Sequence, residues 1–182
     1  MLSNTELMLL HLLHQDGNMS GYDINRLVEQ RGFREWAEIG MTSIYVSLNK
    51  LAKKELVRAE LDTAKKGKGP TPKKYFLLPV GRTNLKQEVR NGIQALRLKD
   101  ARFRLCISAL SILSKKEQKT LFEERSIALN RRRHELEHTT YMAQGGETLP
   151  QNVRWLFQYS LDTLQMEINF ANNVLKDLSL DK

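Results

Sequence analysis

Cysteine is nearly absent from this chain of 182 residues, which holds one, Cys106. A lone thiol closes no intrachain disulfide, so packing and hydrogen bonds must hold the fold. Leu105 and Ile107 flank it, which points to a buried thiol and not a reactive one. The expected compartment is a reducing cytoplasm. Long apolar runs are also missing: none approaches the roughly 18 residues of a membrane-spanning helix. The N-terminus has no basic stretch leading into a long apolar one, so no secretory signal is expected. Acidic residues vanish between Thr63 and Gln87, a window that holds Lys65, Lys66, Lys68, Lys73, Lys74, Arg82 and Lys86. The chain as a whole carries a net charge of +8 with a pI of about 9.6, a balance that favours a polyanionic partner. No phosphate-binding glycine loop and no serine or cysteine nucleophile motif is present, and no cofactor is expected.

What is present begins with helix signals. Ser3-Asn4-Thr5-Glu6 is a capping-box pattern, followed by Leu7, Leu10 and Leu13 at helical spacing. Ser20 caps a second helix over Gly21 to Arg31, with Gly32 as its stop. Phe33 to Met41 reads as irregular, with Trp36 as a packing anchor. Thr42 or Ser43 then caps a third helix whose apolar stripe is Ile44, Leu48 and Leu51. That stripe faces the core, so Ser43, Ser47, Asn49 and Lys50 should lie on other faces.

Val57 to Leu61 alternates as a half-buried strand does. The loop from Asp62 to Lys73 carries two glycines and two prolines, and a second strand follows from Lys74 to Leu78. Helix, strand, basic loop and strand in this order are the layout of a winged helix-turn-helix. Beyond Arg82 the pattern is helical almost throughout. One helix is expected over 83–112, broken near Gly92. A second starts at the capping box Ser114-Lys115-Lys116-Glu117 and runs to about Ala143. A third starts near Pro150. Its stripe of Val153, Leu156 or Phe157, Leu164, Ile168, Ala171 and Leu175 is spaced for a helix–helix seam.

Three constellations carry chemistry. The third helix offers Thr42, Ser43, Tyr45, Asn49 and Lys50 to DNA: hydroxyls near a helix N-terminus suit phosphates, and Asn can pair with adenine. The bland alternative is a solvated amphipathic helix. The loop lysines Lys65, Lys66 and Lys68, with Lys73, form a wing that neutralises phosphates and releases counterions; the alternative is a solvated charged loop. His134-Glu135-Leu136-Glu137-His138 matches the H-E-x-x-H pattern of zinc hydrolases. Its setting argues against it, because Arg131-Arg132-Arg133 precede it and Glu137 stands where an apolar residue belongs. No metal is expected. Arg125 and the run at 131–133 form a basic patch, read as a solvated face before a second DNA surface. Phe103, Phe122, Tyr141, Trp155, Phe157, Tyr159 and Phe170 are read as core or dimer packing before a ligand pocket. His11 and His14 are read as surface or partly buried.

These residues together resemble the PadR family of bacterial transcriptional regulators. Gly21-Tyr22-Asp23-Ile24 is similar to that family's Gly-Tyr-Glu-Leu element. Ser43 to Leu51 resembles its recognition helix. Lys68-Gly69-Pro70, Lys74 to Leu77 and Gly81-Arg82 resemble its wing and the opening of the next helix. The resemblance spans about 3–90. Val46 replaces a frequent proline, Glu55 replaces the usual glycine of the turn after the recognition helix, and Leu78-Pro79-Val80 replaces a common Thr-Glu-Ala. The resemblance implies a homodimer joined through C-terminal helices. It also implies an inverted-repeat operator, repression, and in some relatives release by a small aromatic or hydrophobic effector.

The expected protein is therefore mainly α. A winged helix with a two-stranded wing occupies 1–80, and a long-helix dimerisation domain occupies 81–182. DNA contacts fall on Tyr22, Thr42, Ser43, Tyr45, Asn49, Lys50, Lys65, Lys66, Lys68 and Lys73. Dimer contacts fall on Val153, Leu156, Phe157, Leu164, Ile168 and Leu175. The alternatives are a zinc hydrolase acting through His134, Glu135 and His138, and a winged helix that docks on protein.

Overall fold

The computed structural model of the chain describes residues 1–37, 39, 41–62, 71–98 and 100–180, with Met41 and Thr42 described by their backbone alone. They fall into two compact units: 1–92 with 100–112, and 93–99 with 113–182.

In the first unit, α1 (Asn4–Gln15) starts at the capping box: the Ser3 hydroxyl accepts from the Glu6 amide at 3.1 Å, and the Glu6 carboxylate accepts from the Ser3 amide at 2.8 Å. Leu7, Met8, Leu9, Leu10 and Leu12 are all fully buried, so α1 is the central helix and carries no polar face. β1 (Met19–Ser20) leads directly into α2 (Gly21–Gln30), whose amide at Asp23 is capped by the Ser20 hydroxyl. Gly32, at φ 65°, makes the turn into a short α3 (Phe33–Trp36), where an irregular stretch was expected. The packing anchor there is Phe33, which is buried; Trp36 stacks on it at 4.6 Å and stays partly exposed.

Next comes α4 (Met41–Lys53), then β2 (Val57–Leu61) and β3 (Lys73–Leu77). The strands form an antiparallel sheet ordered β1-β3-β2, with Met19 opposite Tyr75 and Ala59 opposite Tyr75 on the other side. The expected two-stranded wing thus gains a third strand. With two residues, β1 is too short to show an alternating pattern.

The helix expected over 83–112 with a break near Gly92 divides into α5 (Pro79–Gln94) and α6 (Ala101–Ser108). The chain leaves helix after Gln94, and Asp100 caps α6 by accepting from the Arg102 amide at 2.9 Å. The first unit extends past the expected boundary at 80 for a physical reason. Glu88 accepts from the Leu2 amide at 2.9 Å and pairs with Arg102, which also donates to the Leu2 carbonyl at 2.8 Å. Gly92 leaves room for Cys106: an added Cβ would lie 2.1 Å from its sulfur.

The second unit is a helical hairpin. α7 (Lys115–His134) opens with the capping box of Ser114 and Glu117 and continues through a π-helical turn (Glu135–Thr140) into α8 (Tyr141–Ala143). α9 (Gln151–Leu180) returns along it. Leu129 of α7 packs with Leu164 and Ile168 of α9, joined by Leu96, Leu98 and Leu136. Arg125 sits within the same stripe at 1% exposure. It pairs with Glu167 at 2.8 Å and donates to the carbonyls of Ile93 and Ala95, both at 2.8 Å. Burial removes Arg125 from the basic patch expected on α7. It also gives Leu164 and Ile168 an intrachain role: their expected seam is made with α7 of the same chain.

Candidate nucleic-acid interface

The face of α4 opposite its buried stripe carries the candidate contacts. Ile44, Leu48 and Leu51 are fully buried, each worth roughly 1.5–3 kcal/mol of apolar transfer, and they fix the rotation of the helix. Tyr45 is 52% exposed and Asn49 and Lys50 are exposed. Ser43 is half-buried, and Ser47, expected on an outer face, is buried. The side chain of Thr42 lies outside the described residues, as do Lys65, Lys66 and Lys68.

At the base of the wing the Asp62 amide donates to the Pro72 carbonyl at 2.8 Å, and Leu61 pairs in register with Lys73. Lys73 is exposed at the start of β3. β3 runs beside β1, which ends at Ser20, and this brings Lys73 towards the start of α2. There Tyr22 is exposed and Tyr75 is buried. Gly21, Tyr22, Tyr45, Pro72, Lys73 and Tyr75 share a cleft of about 260 Å³. Burial raises the Tyr75 phenol above its usual range, and the neighbouring Tyr45 adds to it. Among the described residues, Tyr22, Tyr45, Asn49, Lys50 and Lys73 are therefore all exposed on the first unit, and three of them share one cleft. The tyrosine cleft was not legible beforehand, since Tyr75 comes from β3 and Gly21 from α2.

The H-E-x-x-H segment spans the end of α7 and the π-helical turn. The rings of His134 and His138 stand 4.5 Å apart and both are exposed. Glu135 pairs with Arg131 at 3.8 Å and Glu137 with Arg133 at 3.5 Å. Among the described residues no group of three or more His, Cys, Asp and Glu side chains comes together as a metal cage. A cleft of about 430 Å³ lies beside this turn, walled by Tyr141, Trp155 and Phe157 with Glu137, Glu147 and Arg154. Tyr141 and Phe157 meet edge to face at 5.1 Å. The Tyr141 hydroxyl donates to Glu147 at 3.1 Å, and Arg154 donates to the same carboxylate at 3.2 Å.

Of the expected dimer residues, Leu156 is 64% exposed, while Val153, Phe157 and Leu175 are half-buried. Trp155, Tyr159 and Phe170 were expected in core or dimer packing, but their grouping with Met166 on one face was missed. Trp155, Tyr159, Met166 and Phe170 stand out on α9, and their steps of four, seven and four place them on one side of the helix, opposite Leu164 and Ile168. Among the described residues, no helix is long and apolar enough to cross a membrane.

Among curated proteins none matches the chain. Solved structures do. A complex of Bacillus subtilis PadR with operator DNA is 21% identical, with 95% of this chain and 98% of that one covered and a TM-score of 0.42. Bacillus subtilis PadR in complex with p-coumaric acid is 20% identical, with coverages of 97% and 99% and a TM-score of 0.39. A PadR-like regulator from Bacillus cereus is 16% identical, with coverages of 98% and 99% and a TM-score of 0.41. The model of the transcriptional regulator PadR-like family matches residues 9–87, a span that takes in α2, the exposed face of α4 and both wing strands. Over that winged-helix segment the chain matches the PadR-like family of transcriptional regulators.

Proposed function

We propose that the chain is a repressor that binds an inverted-repeat operator as a homodimer. In this reading α4 enters the major groove and the wing follows the adjacent backbone. The observation that carries it is the division of α4: a fully buried Ile44, Leu48 and Leu51 stripe holds Tyr45, Asn49 and Lys50 outward within the segment that the family model matches. Asn49 is assigned to a base edge, Lys50 and Lys73 to phosphates, and Tyr22 and Tyr45 to the cleft between them. Lys65, Lys66 and Lys68 are assigned to phosphates from their place in the sequence between β2 and β3. Two protomers would place their recognition helices about one duplex turn apart, roughly 34 Å, which is why the operator should be an inverted repeat.

The exposed stripe of Trp155, Tyr159 and Met166, flanked by Leu156, supports α9 as the dimer surface, since apolar side chains grouped on one helix face mark an interaction site. Release of the DNA by a small aromatic or hydrophobic compound belongs to the same reading. The cleft between Tyr141, Trp155 and Phe157 is large enough for such a ligand.

Fluorescence anisotropy of a labelled duplex from the chain's own promoter region, against random duplex at two salt concentrations, tests the function. A preference of about a thousandfold that persists at the higher salt is expected. Equal, salt-sensitive binding to both would exclude sequence-specific regulation at that promoter. No binding to either would favour a winged helix that docks on protein.

A further inference from the structure

Gly21 opens α2 in a position that leaves it no freedom to shift. On one side the chain is held by the β1–β3 ladder, with Ser20 opposite Lys74. On the other, the Ser20 hydroxyl accepts from the Asp23 amide at 3.2 Å and donates to the Asp23 carboxylate at 2.7 Å. Its φ lies outside the left-handed region, so the backbone would accept any residue and the reason for glycine is space. A Cβ added there would stand 2.7 Å from Cε1 and 3.3 Å from Cδ1 of Tyr45, and 3.5 Å from a methyl of Leu48. Leu48 is fully buried and fixed, whereas Tyr45 is half-exposed at the end of a rotatable side chain. The ring of Tyr45 therefore lies on the bare Cα of Gly21, and a methyl group in that place would push the ring away while leaving the core in order. The ring also borders the cleft shared with Tyr22, Lys73 and Tyr75, so its resting position sets the shape of that cleft.

We propose that Gly21 is a positioning residue for DNA recognition: its missing side chain seats the Tyr45 ring against α2 and so sets how the phenol is presented from α4. The proposal rests on the assignment of α4 to the DNA face. Gly21 itself has no side chain to touch DNA, and it acts through Tyr45.

A double-mutant cycle tests it, read on a duplex enriched from a random pool by the wild-type chain and on a scrambled duplex of equal length. Gly21→Ala should weaken binding to the enriched duplex about tenfold, a coupling within the range of residues in contact, and change binding to the scrambled one little. Tyr45→Ala should weaken it by a similar factor. The double variant should bind no worse than Tyr45→Ala alone. Losses that multiply would overturn the proposal, because Gly21 would then act by another route. An unaffected Gly21→Ala chain would overturn it too, and so would one that fails to fold, since the ring would not have yielded.

The position of the ring is read without DNA by fluorotyrosine NMR, with the Tyr45 resonance identified by its loss in Tyr45→Phe. That resonance should move in Gly21→Ala while the Tyr159 resonance stays; an unmoved Tyr45 signal refutes the proposal. A wild-type chain that enriches no duplex, or Asn49→Ala and Lys50→Ala variants that bind normally, would instead count against the assignment of α4, and the NMR result would still decide where the ring sits.

Discussion

His11 is a polar side chain sealed at 2% exposure in the central helix, with its ring 6.4 Å from that of Phe33. Burial, helped by the charge of Arg31, pushes its pKa down from 6.5 to about 4. The unfolded chain therefore takes up this proton first as the pH falls. The contribution of neutral His11 to stability is whole above about 6.5, shrinks as the pH drops towards 4, and is gone below it. The full span is worth up to about 3 kcal/mol. His14, lowered by burial and then by Arg82 and Lys86, acts in the same direction. Urea unfolding across this range should show the decline, and His11→Gln should flatten it. Glu55 is a second residue with a local cost. It holds φ 54°, the one positive φ outside glycine among the described residues. Glu55→Gly should relieve that strain and raise stability by about 0.5–1 kcal/mol in the same measurement. This position was legible in the sequence, because Glu55 stands where the family that the chain resembles has a glycine. The burial of His11 was not, since α1 is enclosed on all sides and its pattern of leucines leaves no polar face to read.

At the level of elements, local signals in the chain marked the helix starts well. Ser3, Ser20 and Ser114 each cap the helix expected after them, because a cap is a bond within four residues. The hairpin core was only half visible. Leu121, Leu129, Leu164 and Ile168 follow helical spacing, but Arg125 in the middle of the α7 stripe reads as surface charge until its partner appears 42 residues away. The pair joins α7 to α9, and the same guanidinium donates to the carbonyls of Ile93 and Ala95. Removing the acid alone leaves a buried cation, so Glu167→Ala should cost about 3–5 kcal/mol. Chemical denaturation would register it as a lower midpoint. A loss below about 1 kcal/mol would mean that water or another acceptor replaces the carboxylate.

For the whole molecule, the proposed homodimer turns on the two faces of α9. Heptad-like spacing pointed to Leu164 and Ile168, because a seam made within one chain and a seam made between two chains have the same period. The structure separates the two faces, leaving Trp155, Tyr159 and Met166 outward. If α9 is the dimer surface as proposed, replacing Tyr159 and Met166 together by Glu should give a monomer in light scattering while circular dichroism remains helical. Operator affinity should fall with it by at least tenfold, since half-sites would then be bound singly. The extent of the first unit was equally hard to foresee. Leu2, Glu88 and Arg102 are spread over a hundred positions of sequence, and only the folded chain brings them together.

The one thiol has a practical side. Cys106 is fully buried, and burial drives its pKa up to about 12, so the thiolate that alkylating reagents need is scarce near neutral pH. The native chain is thus a silent background for site-directed labelling. A cysteine introduced at an exposed position, such as Asn49→Cys, would take up a maleimide dye selectively, and its fluorescence would test whether DNA approaches α4, with no need to remove the natural residue.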